Sequence, residues 1–168
     1  MKQLYFFTIS LFMLAACTFN GEFREIETGN TFSMSFPDYM KPADDLKEDA
    51  ELQYSSPYRN TYAIVEKDEK NGLSFSQYQK DALDVIKDFE LLKNPLVTDS
   101  IFVENEQYKA IHVQLYGLMD DENIYYWHST YETADYFYQL AVWTRSMDRK
   151  QRYGEDIDKI IESFTPLQ

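Results

Sequence analysis

From residue 31 onward the apolar positions fall into two alternating registers. Thr31-Phe32-Ser33-Met34-Ser35-Phe36 places Phe32, Met34 and Phe36 on one face, the pattern of a half-buried strand, and Pro37 stops it. Gly29-Asn30 predicts a two-residue hairpin turn that pairs this strand with Glu22–Thr28. Met40 to Asp49 is polar and acidic and reads as loop. Leu52 and Tyr54 begin a second hairpin, which turns at Ser56-Pro57-Tyr58-Arg59-Asn60 and returns through Thr61–Lys67. The period then changes. Phe75, Tyr78, Ala82, Val85, Ile86 and Phe89 share one helical face, Ser74 and Gln77 match a capping box, and Asn94-Pro95 marks the end.

Four strands follow: Leu96–Val103, Tyr108–Leu118, Ile124–Thr133 and Tyr136–Arg145. The last three are apolar or aromatic on both alternating faces. Tyr125, Trp127 and Tyr131 oppose Ile124 and Tyr126; Tyr138, Leu140 and Val142 oppose Phe137, Ala141 and Trp143. A sheet with one wet face has no need of this, so each side must be covered. Tyr153, Ile157, Ile160, Ile161 and Phe164 form a closing helical stripe, and Pro166 follows. The expected class is α+β: a three-layer α/β/α sandwich, with a mainly antiparallel sheet of about six to seven strands and one helix on each face. Ser74–Phe89 and Tyr153–Phe164 should lie on opposite sides of it.

The chain opens differently. Lys2 precedes an apolar run from Leu4 to Leu14, about as long as a signal-peptide core and too short to span a bilayer, which needs roughly 20 residues. Leu14-Ala15-Ala16-Cys17 follows and contains the only cysteine. The stretch resembles the lipobox of bacterial lipoproteins. The resemblance implies that residues 1–16 are a signal peptide and that Cys17 becomes the acylated first residue. Two or three acyl chains anchor a protein stably, at ~0.8 kcal/mol per buried CH₂. Thr18 stands where an aspartate would favour retention in the inner membrane, which favours the outer membrane. Residues 17–30 would join the lipid to the domain as a tether and first strand, and 31–168 would form the domain. With Cys17 acylated, no disulfide or cysteine nucleophile is available.

The order of elements resembles the PsbP-like superfamily, which includes the DcrB-type lipoproteins. Phe32-Ser33-Met34-Ser35-Phe36-Pro37 is similar to its opening strand and Ser74–Phe89 to its first helix. The Tyr136–Thr144 strand followed by Ile160-Ile161-Glu162-Ser163-Phe164 is similar to its closing strand and helix. The resemblance covers residues 31–164. It implies a non-enzymatic binding or accessory role and supplies no catalytic motif to transfer.

Charge and chemistry narrow the function. A formal charge of −13 disfavours nucleic-acid binding and direct adhesion to anionic lipid. No nucleophile elbow, phosphate loop, dinucleotide fingerprint or His-Glu-x-x-His occurs, so no catalytic residue and no cofactor beyond the lipid on Cys17 is expected. A symmetric Asp120–Asn123 turn would set His112 across from Tyr131 and His128 across from Leu115, too far apart for a metal pair. Acidic turns at Asp44–Asp49 and Asp120–Asn123 lack the spacing of a calcium loop. Aromatics make up 17% of the chain, 14 of them tyrosines. The candidate binding surface is therefore aromatic: Tyr125, Trp127, Tyr136 and Tyr138, with Trp143 and Tyr126 beside them, wherever a helix leaves them open. The expected function is a lipid-anchored envelope protein that binds or supports another envelope protein. A module that captures a glycan or hydrophobic molecule is the alternative, and an enzyme ranks last.

Overall fold

The computed structural model describes residues 22–88 and 92–167. The predicted lipobox, Cys17 and Phe89 lie outside them. The chain begins with a hairpin of β1 (Phe23–Thr28) and β2 (Phe32–Pro37), in register from Phe23 opposite Pro37 to Thr28 opposite Phe32. Gly29 and Asn30 both take positive φ, 51° and 58°, but the connection is one residue longer than the predicted two-residue turn: Thr28 faces Phe32, and Thr31 lies between, its N–H donating to the Thr28 carbonyl at 2.8 Å. The acidic stretch read as loop contains one short strand, β3 (Lys41–Pro42), beside β4 (Leu52–Ser56). A 3-10 turn over Pro57–Arg59 leads to β5 (Thr61–Glu69).

Helix α1 (Phe75–Asp88) starts as predicted, though only half of the capping box forms. The Gln77 backbone N–H donates to Ser74 Oγ at 3.3 Å, but the Gln77 amide turns forward to Asp81. Tyr78 and Ala82 are buried and Leu83 and Ile86 pack beside them; Val85, expected on the same face, is 53% exposed on the flank. Then come β6 (Lys93–Glu104), β7 (Lys109–Met119), β8 (Glu122–Glu132) and β9 (Tyr136–Arg145), followed by α2 (Met147–Glu162) and β10 (Thr165–Pro166).

The main sheet has seven antiparallel strands in the order β3-β4-β5-β9-β8-β7-β6, and a small sheet has the order β1-β2-β10. Parity sorts the side chains. Tyr54, Ala63, Val65, Ala110, Tyr125, Trp127, Tyr131, Tyr138, Leu140 and Val142 join Phe32, Met34 and Phe36 of the small sheet and Ile157, Ile160 and Ile161 of α2 in one core. Val113, Leu115, Ile124, Tyr126 and Trp143 point the other way, towards Leu83 and Ile86 of α1. The two helices therefore cover opposite faces, as the doubly apolar strands demand, and the small sheet shares its face with α2.

The β7–β8 turn corrects the expected register. It consists of Asp120 and Asp121 alone, with φ of 51° and 62°, so Met119 faces Glu122. His112 thus sits across from Ser129, and His128 across from Val113. The histidines occupy neighbouring rungs but opposite faces. Gly117, on the third rung from that turn, is required by space: a Cβ there would lie 2.6 Å from Leu92 Cγ and 3.0 Å from the Lys93 carbonyl oxygen.

Two substitutions test the layering. Ile160 is fully buried between α2 and the sheet, so Ile160→Ala should cost ~2–5 kcal/mol in urea unfolding. Val85→Ala should change stability by less than about 1 kcal/mol, because an exposed flank leaves no cavity. Equal losses for the two would contradict the placement of α1.

Candidate binding surface

Three of the four predicted aromatics are core residues. Tyr125, Trp127 and Tyr138 are buried beneath α2 and the small sheet, where their parity on β8 and β9 directs them. Tyr125 is capped by Met147 Sδ, 3.3 Å from its hydroxyl, and by Lys150, whose ammonium lies 4.8 Å from its ring centre. Tyr138 packs edge-on to Phe32 at 5.6 Å. As placed, these three fill the core and do not form an open platform. Tyr136 keeps part of its surface, with Lys67 Nζ 5.2 Å from its ring. A shallow dent beside Trp127, lined by Thr98, Gln114 and Tyr125 among others, offers at most about 130 Å³, open solvent included. That is small against the several hundred Å³ of an ordinary ligand pocket.

The open aromatics lie on the other face. Helix α1 crosses that face obliquely. Its first turns sit on Phe137, which Tyr78 stacks on at 4.3 Å, and its later turns sit over β7 and Ile124. The corner beyond it carries Tyr62 of β5, Trp143 of β9 and Tyr126 of β8, three half-buried rings on one rung. Their centroids are 5.4 and 5.9 Å apart and their planes within 18° and 22° of parallel. Trp143 and Tyr126 were legible as flanking candidates; Tyr62 was missed, because its strand alternates with nothing more than Ile64 on that side.

The second open surface is β6, the last strand of the sheet. Leu96 is 61% exposed, Ile101 53% and Phe102 58%, and Val97 is exposed too. Leu96 and Ile101 flank Tyr116 and His112 on the α2 face; Val97 and Phe102 flank Leu115 and Ile111 on the α1 face. Backbone groups on the outer side of an edge strand have no ladder partner. The first half of β6 is blunted: Pro95 has no N–H, the register shifts between Val97 and Asp99, and Asp99 Oδ1 accepts the Ser100 N–H at 2.8 Å. Ile101–Glu104 is regular and open.

A polar chain runs beneath α1. His128 Nε2 lies 3.2 Å from Gln139 Oε1, the Gln139 amide donates to Asp68 at 3.4 Å, and the Tyr78 hydroxyl donates to the same Asp68 oxygen. Burial and that hydrogen bond raise the Tyr78 hydroxyl far above its ordinary range. Burial holds the His128 imidazole down at about 4, with Gln139 opposing weakly. His112, whose Nδ1 lies 2.8 Å from Ser129 Oγ, is also lowered by burial. Both histidines are satisfied structural groups. Among the described residues no cluster of three or more His, Cys, Asp or Glu side chains is arranged to hold a metal ion, and no helix is long and apolar enough to cross a membrane.

The His128 environment fixes a pH response. Its folded pKa lies below the ordinary 6.5, so the unfolded chain takes up the proton first. The imidazole's contribution is complete above about pH 6.5 and is lost as pH falls towards about 4. Urea unfolding at pH 7 and at pH 4.5 should differ by an amount on the order of 2–3 kcal/mol from this residue. His128→Gln should remove that part of the slope; an identical slope in the variant would show that other groups carry it.

No family model matches the sequence, and no curated protein matches it. Solved structures do share its fold. Cyanobacterial PsbP from Synechocystis superposes with a TM-score of 0.65 at 10% identity, over 87% of this chain and 93% of that one. The Ran-binding protein Mog1p of Saccharomyces cerevisiae gives 0.64 at 9%, over 86% and 95%. LpqN of Mycobacterium tuberculosis, involved in cell envelope biogenesis, gives 0.61 at 13%, over 88% and 91%. This chain therefore has the α+β fold of PsbP and Mog1p.

Proposed function

We propose that the chain is a lipid-anchored accessory protein of the cell envelope, held through Cys17, that binds or supports another envelope protein along the free edge of its main sheet. The observation that carries the reading is β6, where four exposed apolar side chains alternate across both faces of an edge strand that, among the described residues, pairs only with β7. A small ligand covers one face of a sheet. An added strand from a protein partner covers both and also satisfies the outer backbone groups. Ile101–Glu104 is the open stretch for it. LpqN, similar in fold, has an envelope role, and Mog1p binds a protein. The anchor rests on Leu14-Ala15-Ala16-Cys17, and Thr18 favours the outer membrane.

The Tyr62–Trp143–Tyr126 strip supports the second reading, capture of a glycan or hydrophobic molecule, since three adjacent half-open rings offer apolar contact area. It ranks lower because its three rings are half-buried, whereas β6 is the more exposed surface. Tyr136, with its open edge, is a further contact candidate.

Crosslinking in intact cells separates the readings. Ile101→Lys with Phe102→Lys should abolish the crosslinked partner while the melting temperature stays within a few degrees, since exposed substitutions change stability by about 0.5 kcal/mol or less. A partner retained by that variant and lost with Trp143→Ala would move the site to the strip. Cys17→Ser should shift the protein from membrane to soluble fractions, and mass spectrometry should find an acylated peptide beginning at Cys17. An unmodified thiol there would end the anchoring proposal.

A further inference from the structure

Two arginines meet where the Pro57–Arg59 turn lies beside the start of α2, on the sheet face opposite the aromatic strip and away from β6. Thr61 pairs with Thr144, which brings the Pro57–Arg59 turn beside Ser146 and the start of α2. The Arg59 guanidinium carbon lies 3.9 Å from the centre of the Tyr39 ring and 5.3 Å from that of Tyr153. Arg149, in the first turn of α2, approaches the same Tyr153: its guanidinium carbon is 5.9 Å from the ring centre, and Nη1 donates to the hydroxyl at 3.5 Å. The one buried carboxylate nearby, Asp156, accepts the Tyr39 hydroxyl at 2.9 Å. Among the described residues neither arginine has an acid within ion-pair distance.

This is unexpected on composition. The chain has 29 acidic residues against 16 lysines and arginines. Eight of the other cations form ion pairs. Two guanidiniums converging on one ring repel each other unless an anion lies between them. Arg152, exposed one turn along α2 from Arg149, adds a third uncompensated charge. A guanidinium stacked on tyrosine is already oriented, so it loses little freedom when it forks onto a carboxylate.

We propose that Arg59 and Arg149, held against Tyr39 and Tyr153, form a docking site for an acidic segment of a partner protein. The apolar neighbours select a peptide over a free anion. Tyr58, in the same turn as Arg59, is 88% exposed, and Met147, which opens α2, is exposed as well. Tyrosine, arginine and methionine are the residues interface cores favour, and a lone phosphate would use only the guanidiniums. The surface is separate from β6 and stands whether or not that edge binds a partner.

Fluorescence anisotropy with the full chain tests it. The probe is a labelled peptide of alternating Glu and Leu, and the control has Gln in place of Glu. The acidic peptide should bind and the Gln peptide should not. Arg59→Gln with Arg149→Gln should weaken binding at least about tenfold. Tyr58→Ala and Arg152→Gln, both at exposed positions, should each weaken it several-fold. Ile101→Lys should leave it unchanged, which separates this site from β6. Equal affinity for the Gln peptide, or full binding by the arginine double variant, would overturn the proposal. So would displacement of the peptide by inorganic phosphate at matched ionic strength with no effect of Tyr58→Ala. Arginine-dependent binding to phosphatidylglycerol vesicles without peptide binding would reassign the surface to the membrane and overturn it too.

Discussion

A sheet that is apolar on both sides must be covered on both sides, and two helices are short cover for seven strands. The chain meets this constraint unequally. On one face α2 and the β1-β2-β10 sheet together bury Tyr125, Trp127, Tyr131, Tyr138, Leu140 and Val142. On the other face α1 works alone. Its buried stripe reaches from Phe137 to Ile124 and leaves the Tyr62–Trp143–Tyr126 corner half open. Strand β6, at the edge of both layers, is thinly covered: Val103 packs on the α2-side core, but Leu96, Val97, Ile101 and Phe102 stay exposed. The open surfaces are therefore the regions that a two-helix solution cannot reach, and they are where a partner gains the most apolar burial.

The better-covered face is closed by two adjacent residues just past α2. Phe164 lies 4.1 Å from Tyr131, 5.3 Å from Tyr138 and 5.4 Å from Phe32, ring centre to ring centre, so it joins the main sheet to the small one. The Tyr131 hydroxyl donates to the Ile161 carbonyl at 3.1 Å, which satisfies a polar atom in the same core. Ser163 accepts the Ser35 N–H at 2.8 Å and donates to the Ile160 carbonyl at 2.7 Å, tying the end of α2 to β2. The Ser-Phe pair at the end of the helix is thus explained by what each half contacts. After it the chain adds β10 to the edge of β2, with the Leu167 N–H bonded to the Thr31 carbonyl at 2.9 Å.

Strong periodicity made most of this legible. The Phe32-Met34-Phe36 strand, its Gly29-Asn30 turn, both helices and their opposite placement follow from alternation and spacing. What failed to show had physical reasons. The β7–β8 turn uses Asp120 and Asp121 in left-handed conformations without a glycine, so the sequence suggested a longer turn and a shifted ladder. The two-residue strands β3 and β10 are too short to carry any alternation. The binding surface was legible only as chemistry. Tyr125, Trp127 and Tyr138 look like Tyr62, Trp143 and Tyr126 in sequence, and only the cover decides which set stays open: α2 and the small sheet bury the first, and α1 leaves the second half open. The convergence of Arg59 and Arg149 on Tyr153 joins residues 90 positions apart and had no local signal.

Geometry also relates the proposed anchor to these surfaces. Phe23, where β1 begins, pairs with Pro37, two residues before Tyr39, so the start of the domain lies at the same end as the Arg59–Tyr39–Tyr153 cluster. A lipid on Cys17 would be only six residues from Phe23. Six fully extended residues span at most about 20 Å. The arginine surface would then be held within reach of the bilayer, while a chain of charge −13 is repelled by anionic headgroups. Such a tether restricts which acidic segments Arg59 and Arg149 can meet. They would belong to proteins embedded in or lying on the same membrane, and confinement there raises their effective concentration without any new contact.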